Sequence, residues 1–177
     1  QILPVGPTSY GDSPYQSFST FAGNPYMIDL DTLKEEGLLT QEDIDKGYWG
    51  DSEFEIDYAT IYWYRFDVLR VAFENFKKNC DRKPFTAFKR KNSKWLKNYA
   101  LYMAVKKNFD MKAWTEWPDE EIKLREPEAI KKYERKFKDE IDFWSFLQYK
   151  FYEQWDAFRK YVNDLGIKIL GDMPIYV

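Results

Sequence analysis

The stretch GDSPYQSFSTFAGN, residues 11–24, sets Asp12, Ser13, Tyr15, Gln16 and Asn24 close together, and GDMP near the other end of the chain adds Asp172. Flat rings, hydroxyls, amides and carboxylates suit a sugar, which offers an apolar C–H face to an aromatic ring and a rim of hydroxyls to hydrogen-bonding side chains. A phosphate would require glycine-rich backbone amides ahead of a helix and a nearby Lys or Arg. Residues 3–30 contain no Lys or Arg, which disfavours that ligand. On the residues alone a second reading stands beside the first. In it GDSPY is a tight turn whose aromatics cover the end of a barrel, and Asp172 is a turn carboxylate capping backbone amides ahead of Pro174.

The 177 residues include no histidine, so a Cys/His zinc site, a Ser-His-Asp triad and a Cys-His dyad are all excluded within this chain. Acid–base work on a sugar would fall to paired carboxylates, which retaining glycosidases hold about 5–5.5 Å apart. No such pair stands out, because Glu116, Glu120 and Glu121 lie in a helical insertion and read as solvated. No catalytic residue, metal or cofactor is assigned to this chain. The single cysteine, Cys80, forbids an internal disulfide and fits a reducing cytosol, hence a cytoplasmic setting.

The formal net charge of -3 argues against a nucleic-acid partner, which would need a dominant basic face. The basic run KRKNSKWLK, Lys89 to Lys97, reads as a solvated bend between helices. There is no run of 18 apolar residues and no charged-then-apolar leader, so a soluble chain with no membrane partner is expected. The chain opens on Gln and the apolar QILPV and stops on GIKILGDMPIYV, which reads as a piece of a larger protein.

Aromatic residues make up 20% of the chain, and their placement decides what they do. Residues 3–30 have too many glycines and prolines for a helix, yet carry Tyr10, Tyr15, Phe18, Phe21 and Tyr26. After them, Asp31 is the expected N-cap of a short helix ending at Gly37, and Thr40 that of another ending at Gly47. A longer helix is expected from about Asp57, with Ile61, Tyr64, Leu69 or Val68, Ala72 and Phe76 inward and Arg65, Arg70, Glu74 and Lys77 in solvent. Ser93 is the expected cap of a helix that buries Leu96, Tyr99, Ala100, Met103 and Ala104, and Pro118 should open a brief helix. Beyond Pro127, apolar residues from Ile130 to Leu165 step by three or four, which predicts one helix or two nearly collinear ones of about 38 residues. On this pattern the stripe is core.

IKIL alternates and is rich in β-branched residues, and QILPV is similar in character, so both are expected to be strands. Two strands joined by a mostly helical crossover make a parallel α/β unit enlarged by an insertion. If they are neighbours, the loops after them leave from the same carboxyl edge, where α/β folds carry their ligand sites.

LPVGPTSYGDSPYQSFSTFAGNPYMIDLD closely resembles the signature of the 4-alpha-glucanotransferases, or amylomaltases, of glycoside hydrolase family 77. GIKILGDMPIYV resembles that family's first conserved barrel motif, and WTEWPDE with EIDFWSFLQYKFYEQW its helical insertion and the following helix. The resemblance implies a fragment of a (β/α)8 TIM barrel with two parallel strand segments and a large, predominantly helical insertion. On that map residues 1–30 are the end of a barrel strand and a substrate loop, 31–125 an inserted helical subdomain, and 126–177 a long barrel helix and the next strand. The remainder of the barrel would complete the fold in the whole protein.

The implied reaction transfers α-1,4-glucan segments, such as those of maltooligosaccharides or amylose, by a retaining double displacement. Its three catalytic carboxylates follow later strands and lie beyond Val177. The resemblance places Tyr15 against the sugar at the cleavage point, Ser13 on a donor-side sugar and Asp172 in the wall of the same subsite. Tyr10 and Tyr62 would form a second aromatic platform, although Tyr62 also fits a helix surface or core. Two alternatives remain beside an enzyme fragment: a non-catalytic glucan-binding module and a helical scaffold.

Overall fold

The computed structural model describes residues 1–52 and 54–175, with Tyr10 described in its backbone alone. The described residues form the helices α1 (Leu30–Glu35), α2 (Gln41–Asp45), α3 (Tyr58–Asn79), α4 (Lys83–Lys91), α5 (Ser93–Asn108), α6 (Glu120–Lys123), α7 (Pro127–Lys136) and α8 (Lys138–Asp164). Short 3₁₀ turns occupy Tyr10–Asp12, Pro25–Met27 and Trp114–Glu116. No helix among the described residues is long and apolar enough to cross a membrane.

Local chemistry explains where several helices start. Thr40 caps α2 by accepting from the Asp43 N–H, and the Asp43 carboxylate accepts from the Thr40 N–H in return. Asp57 caps α3 through the Thr60 N–H and Asp119 caps α6 through the Ile122 N–H. For α1 the cap is Asp29, accepting from Thr32, and not the expected Asp31, which lies inside the first turn. Ser93 is the first residue of α5 and not its cap; Asn92 precedes it and makes no side-chain capping bond. Glycines in the left-handed region follow α1 at Gly37 (φ 73°) and α8 at Gly166 (φ 77°).

The two expected strands are not formed among the described residues, where Thr8 and Ser17 make an isolated antiparallel bridge. QILPV and IKIL are still neighbours, since the Ile2 N–H donates to the Leu170 carbonyl at 2.9 Å. Pro4 has no N–H to extend the pairing, and one bond is not a ladder. Leu3, Ile167 and Leu170 remain exposed on these runs.

The chain divides into two compact units, one of Gln1–Pro84 with Leu147–Val177 and one of Phe85–Phe146. In the first, α3 buries Val68, Leu69, Ala72, Phe73 and Phe76, while Tyr64 is exposed rather than inward. Arg65 is not in solvent, since its guanidinium donates to the Ile28 carbonyl and lies 6.0 Å from the Trp49 ring. The apolar stripe of α8 is core only in part: Leu147 and Phe151 are buried, but Phe158, and Leu165 just past the helix, are more than half exposed. Lys150, also buried, sits 2.6 Å from both Glu36 and Glu153, so its charge is compensated.

In the second unit the five expected residues of α5 are all buried. A second face, Leu101 and Val105, clusters with Trp117, Ile122, Ala129 and Tyr133. Asp119 serves both α6 and this core, because it also accepts the Tyr133 hydroxyl at 2.9 Å. Lys106 is buried here and donates to the Lys112 carbonyl at 2.9 Å. The long C-terminal pattern is two helices, α7 and α8, separated at Phe137.

Gly23 is the most closely approached glycine in the first unit: a Cβ there would lie 1.9 Å from Cδ1 of Phe151. Gly23→Ala must displace a buried ring, and is expected to cost about 1–3 kcal/mol, read as a lowered urea midpoint with unchanged slope.

Candidate functional site

The loop carrying most of the candidate residues is closed by its own backbone. Thr8 bridges Ser17, the Ser9 N–H donates to the Gln16 carbonyl at 3.1 Å, and the Ser9 hydroxyl donates to the same carbonyl at 3.3 Å. The tip turns through Gly11 at φ 71° and Asp12 at φ 53°. Glycine adopts this region freely, and aspartate is among the few other residues that visit it. Ser13 then accepts the Tyr15 N–H on its hydroxyl at 3.3 Å, while the Gln16 N–H donates to the Ser13 carbonyl at 3.1 Å.

Tyr15 emerges half-buried from this tip and meets the other candidate segment twice. Its hydroxyl donates to Oδ2 of Asp172 at 3.0 Å, and its carbonyl accepts the Ile175 N–H at 2.9 Å. Donation to the Asp172 carboxylate raises the Tyr15 pKa above the ordinary tyrosine value, with desolvation adding in the same direction. The other oxygen of Asp172 accepts the Met173 N–H at 2.9 Å, so the carboxylate is also a turn cap of the kind its sequence suggests. Tyr15, Ser13 and Asp172 thus belong to one constellation within a single unit, without a cation among these contacts.

The second aromatic group is built differently. Tyr62 is half-buried on α3, with ring centroids 6.2 Å from Phe66 and 5.5 Å from Trp63. Tyr26 joins the same cluster at 5.9 Å from Phe66 and 6.4 Å from Tyr58. Burial raises the Tyr62 pKa and pushes that of Tyr26 up to about 12. The expected pairing of Tyr10 with Tyr62 falls on a ring outside the described residues. In the other unit, Glu120 pairs with Lys123 at 2.6 Å, and Glu116 accepts the Ala113 N–H at 3.3 Å.

Sequence reasoning missed the side chains that hold the loop's backbone. Gln148 accepts the Gly23 N–H at 2.7 Å and donates to the Gly23 carbonyl at 2.9 Å. Six residues on, Gln154 treats Asp29 in the same way, at 2.8 and 3.1 Å. Between them the Tyr152 hydroxyl donates to the Phe21 carbonyl. The available signal was a glutamine at a core position of an apolar stripe.

A profile of glycoside hydrolase family 77, described as 4-alpha-glucanotransferase, matches residues 1–177. Over the whole chain, a 4-alpha-glucanotransferase of Clostridium butyricum is 48% identical, with 36% of its own length covered. One of Thermus thermophilus is 42% identical across the whole chain, with 35% of its length covered. The solved amylomaltase of Streptococcus agalactiae in complex with acarbose superposes with a TM-score of 0.93 at 42% identity, covering 99% of this chain and 35% of that one. The chain therefore spans about a third of the length of the curated relatives it matches.

Asp172→Asn removes the charge that the Tyr15 hydroxyl faces, so the Tyr15 titration is expected to move down toward the ordinary tyrosine value of about 10. Carbon-13 labelling of tyrosine with an NMR pH titration reads this; a Tyr15 titration left in place would refute the contact.

Proposed function

The chain belongs to glycoside hydrolase family 77, the 4-alpha-glucanotransferases, and we propose that the whole protein transfers α-1,4-glucan segments to the 4-hydroxyl of glucose or another maltodextrin. The observation that carries the reading at the site is the 3.0 Å bond from Tyr15 to Asp172, which joins the two motifs that resemble the family's substrate loop and first barrel motif. A neighbour solved with acarbose supports an α-glucan as the ligand.

In this reading residues 1–30 and 126–177 are parts of a (β/α)8 barrel and residues 31–125 are a helical subdomain inserted in it. A TM-score of 0.93 to an amylomaltase supports the shared fold, while the compact units divide after Pro84 and Phe146. The two apolar runs tied by Ile2 and Leu170 would be parallel neighbours in the barrel. The setting is cytoplasmic, and no nucleic acid or membrane takes part.

The reaction is a retaining double displacement. A carboxylate attacks the anomeric carbon of the donor, and a glutamic acid protonates the departing glucan. The 4-hydroxyl of a second glucan then takes the place of water as acceptor. The carboxylates that do this lie outside this chain, whose own residues bind and orient. Tyr15 lies against the sugar at the cleavage point, Ser13 bonds a donor-side sugar and Asp172 walls the same subsite. Tyr10 and Tyr62 hold glucan outside the cleft. Aromatic walls exclude water from the reacting carbon and so favour transfer over hydrolysis.

The test is disproportionation of maltotriose by the full-length protein and by residues 1–177 alone. A ladder of longer maltodextrins with glucose is expected from the full-length protein only, and turnover by the short chain would mean that the catalytic carboxylates lie within it. In the active protein, Tyr15→Ala should lower transfer by roughly ten-fold or more and raise the hydrolysed share of product. An unchanged ratio of transfer to hydrolysis would sink the role given to Tyr15.

A further inference from the structure

We propose that Gln148 is a positioning residue for the substrate loop, acting through Gly23 to hold Tyr15 in reach of Asp172; this rests on the glucanotransferase reading above. Gln148 is fully buried on α8, and its amide takes both backbone groups of Gly23. The next link is covalent and then backbone, because the Asn24 N–H donates to the Val5 carbonyl at 2.8 Å. Val5 leads directly into Gly6, where an added Cβ would lie 2.9 Å from the Ser17 hydroxyl and 3.5 Å from the Ala22 carbonyl. The two ends of the loop are therefore packed against each other and against the strip that Gln148 holds. From there Thr8–Ser17 and Ser9–Gln16 carry the constraint to the tip with Ser13 and Tyr15.

Asp172 depends on the same helix by the other route. It lies eight residues past Asp164, the last of α8, through Gly166 and the run tied to Ile2. One helix thus supports both partners of the Tyr15–Asp172 bond, one through a side-chain amide and the other through the chain itself. Removing the amide leaves a buried N–H and a buried carbonyl at Gly23 without partners. The strip can regain them only by moving toward water, and the loop tip moves with it.

Gln148→Leu in the full-length protein keeps the side chain's bulk and removes both bonds. Gln148→Glu keeps them when the carboxyl is protonated, since its O–H can donate to the Gly23 carbonyl and its other oxygen can accept the Gly23 N–H; when ionised it repels that carbonyl. Lys150→Met is the comparison, because it breaks a buried contact two residues away on α8 that does not touch the loop. With maltotriose as donor, Gln148→Leu is expected to raise KM roughly ten-fold and to increase the hydrolysed share, with a smaller change in kcat. Lys150→Met should lower thermal stability and leave KM and the product ratio alone. Gln148→Glu should recover KM relative to the unmodified protein as pH is lowered.

An unchanged KM and product ratio for Gln148→Leu would overturn the proposal, as would an equal KM rise in Lys150→Met or the absence of acid rescue in Gln148→Glu. These failures are read against an active unmodified protein. An unmodified protein that does not disproportionate maltotriose would instead remove the glucanotransferase reading on which the proposal stands.

Discussion

A peptide segment can be buried without helix or ladder only if its N–H and carbonyl groups find partners elsewhere, because an orphaned buried backbone group costs as much as a lost hydrogen bond. That constraint governs the first unit. The strip from Phe21 to Asp29, buried at residues 22–25 and at Ile28, has one short 3₁₀ turn for regular structure. Its polar groups are met by side chains, from Gln148, Tyr152 and Gln154 on α8 and from Arg65 on α3. Asn75 of α3 does the same for the Leu38 carbonyl further along. What a neighbouring strand would ordinarily supply is supplied here by amides, a phenol and a guanidinium.

The choice of glutamine at two of these positions follows from valence. A peptide unit offers one donor and one acceptor, and a primary amide is the one common side chain that presents both complements in a plane. An ammonium would satisfy the carbonyl alone and a carboxylate the N–H alone, each bringing a charge whose burial costs several kcal/mol unless compensated, as Lys150 is by two carboxylates. At the Tyr15–Asp172 pair the carboxylate's direct partners are a hydroxyl and a backbone N–H.

The legible parts of the fold were those set by local rules. Thr40 as the cap of α2, the inward residues of α5 and the glycines that end α1 and α8 all follow from chemistry within a few residues of themselves. Asp31 was the wrong carboxylate for α1 because Asp29, two residues earlier, is equally able to cap, and nothing in the spacing separates them. Arg65 was assigned to solvent by helical phase, but its reach to the Ile28 carbonyl depends on a segment 37 residues away. The pair Tyr15 and Asp172 was legible because both motifs follow apolar runs that proved adjacent, although those runs do not form strands in the described residues. Gln148 was not legible as an anchor, since its polar partner lies 125 residues distant in sequence.

Anchoring by backbone separates two kinds of information that are usually tangled. The path of the strip is encoded in α8 and α3, whose side chains grip main-chain atoms that every residue type but proline possesses. Side chains nearer the tip, such as Ser13 and Tyr15, are spared most of that duty. Recognition chemistry at the tip can therefore drift or be redesigned one residue at a time while the scaffold beneath it continues to specify the same curve. Gly23 is more constrained: the ring of Phe151 occupies the space where its side chain would be, so any larger residue there must displace that ring.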